Sequence, residues 1–217
     1  MVGRPLFDKK CGNFTSIPSS MPKPLPKLNL SHGQAAWAIS LGREPEQKLL
    51  DQMRYLRRLG IPFEESELGT GRGNRVRYNF DHLIELGLGV DALRRGMTPK
   101  DITGLLVKQR KELRRFYREA YLDQPDAALT ADWVKSRGQY IPLLGHELFL
   151  RLHDRYSEAP GKIERIRQDE ISDPSQLFSM VERRPGQKVR TLIPLTRLVL
   201  ELVAWALEAP ETRPGPQ

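Results

Sequence analysis

The sequence contains a single cysteine, Cys11, among its 217 residues. One thiol forms neither an internal disulfide nor a thiolate metal site by itself. The sequence also lacks an apolar run of the roughly 18 to 20 residues that span a bilayer. Residues 1–10 lack the apolar stretch of a secretory signal. We therefore expect a cytoplasmic protein in a reducing setting and exclude a membrane protein.

Spacings typical of enzymes and metal sites are also missing. No Ser-His-Asp or paired-carboxylate arrangement can be read from the residue spacing. Gly69, Gly71 and Gly73 precede a predicted strand, whereas a phosphate-binding loop leads into a helix. The four histidines are dispersed, and His146 and His153 are seven residues apart, whereas zinc hydrolases place the pair four apart. We predict no enzyme activity, no metal and no cofactor.

Positive charge is in excess. The chain has 35 Lys and Arg against 27 Asp and Glu, which leaves a net charge of +8 and a pI near 9.7. Cationic side chains bind polyanions because they release condensed counterions from the phosphate backbone. Basic composition alone also occurs in proteins that bind no nucleic acid. The positions of the basic residues along the chain must therefore show whether the protein binds nucleic acid.

Both ends of the chain are rich in proline and show no helical or strand period, which predicts tails over residues 1–29 and 210–217. The basic N-terminal tail is either a solvated leader or an arm that contacts DNA or a partner. Between the tails we predict one domain over residues 30–122 and another over residues 123–209.

Apolar periodicity and capping residues predict a mainly α-helical fold. Ser31, Asn79 and Thr98 are candidate N-caps, and a glycine-rich turn separates two short strand signals between Ile61 and Tyr78. The predicted helices cover residues 31–42, 45–59, 80–95, 98–122, 130–137, 143–156, 174–183 and 194–207. The order of elements predicts a winged helix-turn-helix domain followed by a helical C-terminal domain.

Basic residues concentrate on the second helix and on the predicted wing. A major groove about 12 Å wide admits one helix, and a wing can reach the flanking backbone. Arginine suits both contacts because its planar fork donates two hydrogen bonds to guanine or phosphate. A solvated helix face and a surface hairpin are the competing interpretation. The predicted DNA-binding residues are Lys48, Gln52, Arg54, Tyr55, Arg57, Arg58, Arg72, Asn74, Arg75, Arg77 and Tyr78.

Residues 53–61, Met-Arg-Tyr-Leu-Arg-Arg-Leu-Gly-Ile, resemble the end of the recognition helix in MerR-type transcriptional regulators. The Arg-Val-Arg-Tyr segment at 75–78 is similar to that family's wing, and residues 92–102 are similar to its turn into the next helix. The resemblance covers about residues 31–106. It implies that Arg54 and Tyr55 contact phosphates or base edges, and that Arg75 or Arg77 anchors the wing.

Two features suggest a homodimer. Residues 102–120 carry a heptad pattern of under three repeats, and the last predicted helix is apolar almost all round. Such a helix is buried either in its own domain or between subunits. The predicted dimerisation residues are Leu113, Phe116, Leu198, Leu202 and Trp205.

The expected function is a dimeric, sequence-specific transcriptional regulator that binds double-stranded DNA and is associated with the nucleoid. Its C-terminal half would dimerise or bind a protein partner. One alternative is a mobile-element or replication accessory protein, such as an excisionase-like or plasmid initiator protein. Another is a protein-binding adaptor, suggested by the acidic residues Glu64, Glu65 and Glu67 beside the predicted wing.

Overall fold

The computed structural model describes residues 24–67, 76–124, 147–153, 162–171 and 191–211. These residues are mainly helical and include a three-stranded antiparallel sheet. The helices are α1 (His32–Ile39), α2 (Gln47–Arg58), α3 (Phe80–Arg94), α4 (Pro99–Leu106), α5 (Arg110–Leu122) and α6 (Leu195–Leu207). Within these ranges, no helix combines the length and the apolarity that crossing a membrane requires.

Three helices begin where the sequence predicts, because the expected side chains cap them. Ser31 accepts a hydrogen bond from the Gln34 backbone, and the Gln34 side chain accepts one from the Ser31 backbone, at 3.3 and 2.9 Å. Asn79 caps α3, and Thr98 caps α4 with Pro99 at its first position. Each cap satisfies a backbone donor that the helix itself leaves unpaired.

The single helix predicted over residues 98–122 is wrong, because the chain breaks into α4 and α5 at residues 107–109. The break lets α4 pack against α3 while α5 packs against both α3 and α6. It also directs Arg110, the first residue of α5, to the buried carboxylate of Glu85. Tertiary contacts therefore override the local helical pattern.

The helix predicted over residues 143–156 is also wrong in its described part, which forms strand β1 (Leu148–Leu152). Burial alternates along β1, as it does in a strand with one face on the core. β1 is the central strand, antiparallel to β2 (Ile163–Arg167) and β3 (Thr191–Pro194). The helices predicted at 130–137 and 174–183 lie outside the described residues.

One hydrophobic core joins α6 to the helices of the first half, since α6 packs against α1, α3 and α5. Two glycines leave room there for side chains of α6: a Cβ on Gly42 would lie 2.1 Å from the Trp205 ring. A Cβ on Gly87 would lie 2.4 Å from Leu202. The predicted boundary at residue 122 therefore does not separate two cores within the described residues. Leu25 and Leu28, in the predicted N-terminal tail, also pack against this core.

The predicted strand pair between Ile61 and Tyr78 is not formed in the described part of that segment. The backbone of Tyr78 pairs instead with Leu30, through two hydrogen bonds of 2.9 and 3.0 Å. Phe63 contributes through its side chain, with its ring centroid 5.0 Å from that of Tyr78. Residues 68–75, which include the predicted turn, lie outside the described residues.

Candidate nucleic-acid interface

Helix α2 presents one apolar face to the core and a basic face to solvent. Leu49, Met53 and Leu56 are buried, with spacings of four and three residues that place them on one side of a helix. The helix ends at Arg58, and Leu59 is its C-cap. The next residue, Gly60, adopts a φ of 82°, a conformation that favours glycine. Helix α1 and helix α3 pack against α2, so its orientation is fixed by the core.

The solvent face of α2 collects most of the predicted DNA-binding residues of this helix. Gln52 is partly buried at its edge, and the exposed members are Lys48, Arg54, Tyr55, Arg57 and Arg58. Tyr55 is 44% exposed, a large aromatic side chain left in solvent.

Arg54 is paired with Asp51, one turn earlier on the same face. Its Nη1 atom donates to the Asp51 carboxylate at 2.9 Å, and the two side chains are 53% and 60% exposed. An ion pair this exposed contributes little to stability and is easily exchanged for another anion. Arg54 is therefore oriented but remains available to a ligand.

The predicted wing residues divide into three cases. Arg72, Asn74 and Arg75 lie outside the described residues. Arg77 is exposed. Tyr78 is 1% exposed, so its prediction as a DNA contact is corrected: the ring belongs to the hydrophobic core, and its backbone pairs with Leu30.

The Tyr78 hydroxyl reaches residues at two edges of the basic face. It lies 3.0 Å from Nδ1 of His32, the first residue of α1. It also interacts with the Arg57 guanidinium, and burial raises the pKa of Tyr78 although Arg57 opposes the shift. Burial, and then the cations of Arg57 and Arg54, lower the pKa of His32. This part of the face therefore favours a neutral imidazole next to two arginines.

A buried ion pair fixes the end of α2. Arg110 on α5 donates three hydrogen bonds to the Glu85 carboxylate on α3, at 2.8 to 3.1 Å, and a fourth to the Gly60 carbonyl. Glu85 is fully buried, and burial raises its pKa to about 7 against the opposing effect of Arg110. The pair thus connects α3 and α5 to Gly60, the residue that follows the C-cap of α2.

A second polar cluster anchors the segment before residue 68. Glu67 accepts hydrogen bonds from the Glu64 backbone at 2.9 Å and from His82 at 3.1 Å, and its carboxylate lies 3.8 Å from Arg114. Burial alone would raise the pKa of Glu67, but the hydrogen bonds from Glu64 and His82 outweigh it and lower the pKa. One of the acidic residues that suggested an adaptor therefore has partners within the chain.

The predicted dimerisation residues belong to the core of a single chain. Leu113, Phe116, Leu202 and Trp205 are between 1% and 9% exposed, and Leu198 is partly buried. The apolar surface of α6 is covered by α1, α3 and α5 of the same chain. Their assignment to a dimer interface is therefore corrected.

Charged residues near the small sheet pair with one another. His153 donates to Glu164 at 3.0 Å, and Lys162 donates to Glu164 at 2.7 Å. The Lys162 ammonium, with further contributions from His153, lowers the pKa of Glu164 to about 2. Glu147 accepts from Arg197, and His146 lies outside the described residues. Within the described ranges, no three His, Cys, Asp or Glu side chains form a metal-binding group.

Two residues of the candidate interface and its support could not be identified from the sequence alone. His32 is one of four scattered histidines, and its partner Tyr78 is 46 residues away. The only local signal is its position directly after the Ser31 cap. Arg110 is one of many basic residues in its segment, and nothing there distinguishes it as buried.

No family model, curated protein or solved structure matches the chain. Assignment of a function therefore depends on the geometry and charge of the site.

Proposed function

We propose that this chain is a sequence-specific DNA-binding protein that regulates transcription, with α2 as the helix that enters the major groove. The observation that carries the proposal is the basic solvent face of α2, directly opposite its buried stripe of Leu49, Met53 and Leu56. A helix of ordinary diameter fits a major groove about 12 Å wide. The packing of α1 against α2 agrees with a helix-turn-helix, and the MerR-type resemblance favours its winged form.

The positions around α2 suggest separate roles. From the helical repeat, Arg54 and Arg58 lie at the centre of the exposed face, with Tyr55 on one flank and Arg57 on the other. Central arginines are placed to reach base edges, whereas flanking cations are placed to contact phosphates. Asp51 orients Arg54 and opposes the approach of phosphate to it. We therefore assign Arg54 to base readout and Arg57 to the backbone.

The proposal includes two copies on one duplex, as expected of a dimeric regulator. Their contact would use surfaces other than the five core residues corrected above. Helix-turn-helix dimers bind half-sites about one helical turn apart, so the symmetry of the bound sequence reports the dimer.

The test is fluorescence anisotropy with fragmented genomic DNA and excess random-sequence competitor at several salt concentrations. Retention of a few fragments against the competitor would support sequence-specific regulation. Equal loss of all fragments as salt rises would instead favour backbone-only contact, as expected of an architectural accessory protein. Absence of binding at low salt would overturn the proposal.

A further inference from the structure

His32 is held in place by a buried partner from a distant part of the chain. Its Nδ1 atom lies 3.0 Å from the hydroxyl of Tyr78, and the two ring centroids are 6.0 Å apart. Tyr78 is 1% exposed and is fixed by its backbone pairing with Leu30. The imidazole therefore has a defined orientation at the start of α1.

The neighbours of the Tyr78 hydroxyl determine where the His32 proton resides. A phenol has one proton to donate, whereas an arginine guanidinium only donates. The Tyr78 hydroxyl lies at hydrogen-bond distance from Nδ1 of His32 and can donate its proton to that nitrogen. In the tautomer in which Nδ1 accepts from Tyr78, the proton of the neutral imidazole lies on Nε2.

His32 is partly buried. Its Nε2 atom makes no hydrogen bond to the described residues. Arg54 and Arg57 lie near enough for their charges to act on this ring. An N–H donor on Nε2 would therefore belong to a partly buried side chain near two cations that would attract a phosphate.

We propose that His32 is a further residue of the DNA-binding surface, a neutral imidazole whose Nε2–H donates a hydrogen bond to a backbone phosphate, with Tyr78 as its positioning residue. This inference rests on the proposed function. The phosphate is the chosen acceptor because the neighbouring cations favour an anion, and a neutral donor beside them adds a directional bond without adding charge.

A neutral donor has a distinctive effect on salt dependence. Each cation that neutralises a phosphate contributes about 0.9 to the slope of log K against log salt, through counterion release. A neutral hydrogen bond releases no counterion. Loss of His32 should therefore lower the affinity by the same factor at every salt concentration, whereas loss of Arg57 should also reduce the slope.

The experiment measures anisotropy of a fluorescein-labelled, mixed-sequence duplex of about 30 base pairs, long enough to cover two half-sites, with the full chain at four salt concentrations. His32→Ala should weaken binding about tenfold, the scale of one hydrogen bond to a charged acceptor, with an unchanged slope. His32→Gln keeps an N–H donor near the Nε2 position and should recover most of the affinity. Arg57→Ala is the comparison that should reduce the slope by about 0.9.

Tyr78→Phe tests the positioning role while keeping the buried ring. It should weaken binding less than His32→Ala, and the double variant should bind no worse than His32→Ala alone, because both changes remove one contact. Circular dichroism of each variant checks that the helices are intact. If the wild type binds and His32→Ala binds equally well, the inference is overturned and the proposed function stands.

A reduced slope in His32→Ala would overturn the neutral donor, because it would mean that a cationic imidazole contacts the phosphate. Additive losses in the double variant would overturn the positioning role of Tyr78. If the wild type binds no DNA at low salt, the proposed function fails and the inference fails with it.

Discussion

Arg110 on α5 donates to both oxygens of Glu85 on α3 and also to the carbonyl of Gly60, the residue that follows the C-cap of α2. These three points come from three separate parts of the chain, and the Glu85 side chain is fully buried. The orientation of the proposed recognition helix therefore depends on a polar contact beneath it as well as on its apolar stripe. Such a contact links the pH of the solution to the stability of the fold.

We expect Glu85 to make the free energy of unfolding fall as pH rises from 4.5 to about 7. Burial raises the pKa of Glu85 from 4.5 to about 7, so the folded chain binds this proton more tightly than the unfolded chain. The contribution is complete below pH 4.5 and is lost as pH rises through the folded value. The change should be about 1 to 3 kcal/mol.

Urea unfolding of the wild type and of Glu85→Gln across this pH range measures that contribution. Gln has no proton to lose, so the difference between the two proteins should change with pH over this window. If the difference in free energy of unfolding stayed constant from pH 4.5 to about 7, Glu85 would be ionised across this range. The predicted dependence of stability on its protonation would then be wrong.

Gly42→Ala should destabilise the fold by about 2 to 4 kcal/mol, from a positive-φ cost and a steric clash together. Gly42 has a φ of 71°, and an added Cβ would lie 2.1 Å from the Trp205 ring. Gly96→Ala is the matched control, since it has a φ of 85° but no atom within 4 Å of an added Cβ. In thermal unfolding, the Tm of Gly42→Ala should be clearly lower than the Tm of Gly96→Ala. Equal losses would show that the Trp205 contact relaxes without cost.

Tyr55→Ala should leave the free energy of unfolding within about 0.5 kcal/mol of the wild type, because Tyr55 is 44% exposed and lies outside the core. It should nevertheless weaken DNA binding by about 1 to 3 kcal/mol if the ring contacts the duplex. Tyr55→Phe separates the ring from its hydroxyl. Full affinity in Tyr55→Ala, with the helices intact, would remove Tyr55 from the interface.

Arg54→Ala should weaken binding to a retained DNA fragment by about 1 to 3 kcal/mol and reduce discrimination against competitor. Asp51→Asn should instead raise the affinity for random-sequence competitor DNA. The change removes a negative charge from the basic face and releases Arg54 from its ion pair, so non-specific binding should tighten. The measurement is anisotropy with retained and random fragments side by side. A loss that is equal for both fragments in Arg54→Ala would assign this arginine to the backbone.

Local signals sufficed to predict α1, α2, α3 and the start of α4. Ser31, Asn79 and Thr98 are caps because their side chains satisfy nearby backbone donors, and the stripe on α2 is set by neighbours along the helix. The basic solvent face follows from that stripe, because residues opposite a buried face must be exposed. These features depend on residues only three or four positions apart.

Features that depend on distant partners were missed or misassigned. The apolar surface of α6 is compatible with a core or with a subunit interface, and only its packing against α1, α3 and α5 decides between them. Strand β1 has the apolar residue Phe149 on its second face, which hides the alternation of a strand. Tyr78 was expected at the surface because its pairing with Leu30 leaves no mark in either segment.

The most direct test of the account compares two charge-matched variants in salt-dependent DNA binding. One replaces Lys48, Arg54, Arg57 and Arg58 on α2 with glutamine, and the other replaces the exposed Lys100, Lys108, Lys111 and Arg115 on α4, α5 and their connection. If α2 carries the interface, the first variant should lose most of its affinity, and its slope should fall by about 2, because Lys48 and Arg57 are the two cations assigned to phosphates. The second variant should keep both. Equal losses in the two variants would contradict the assignment of DNA binding to α2.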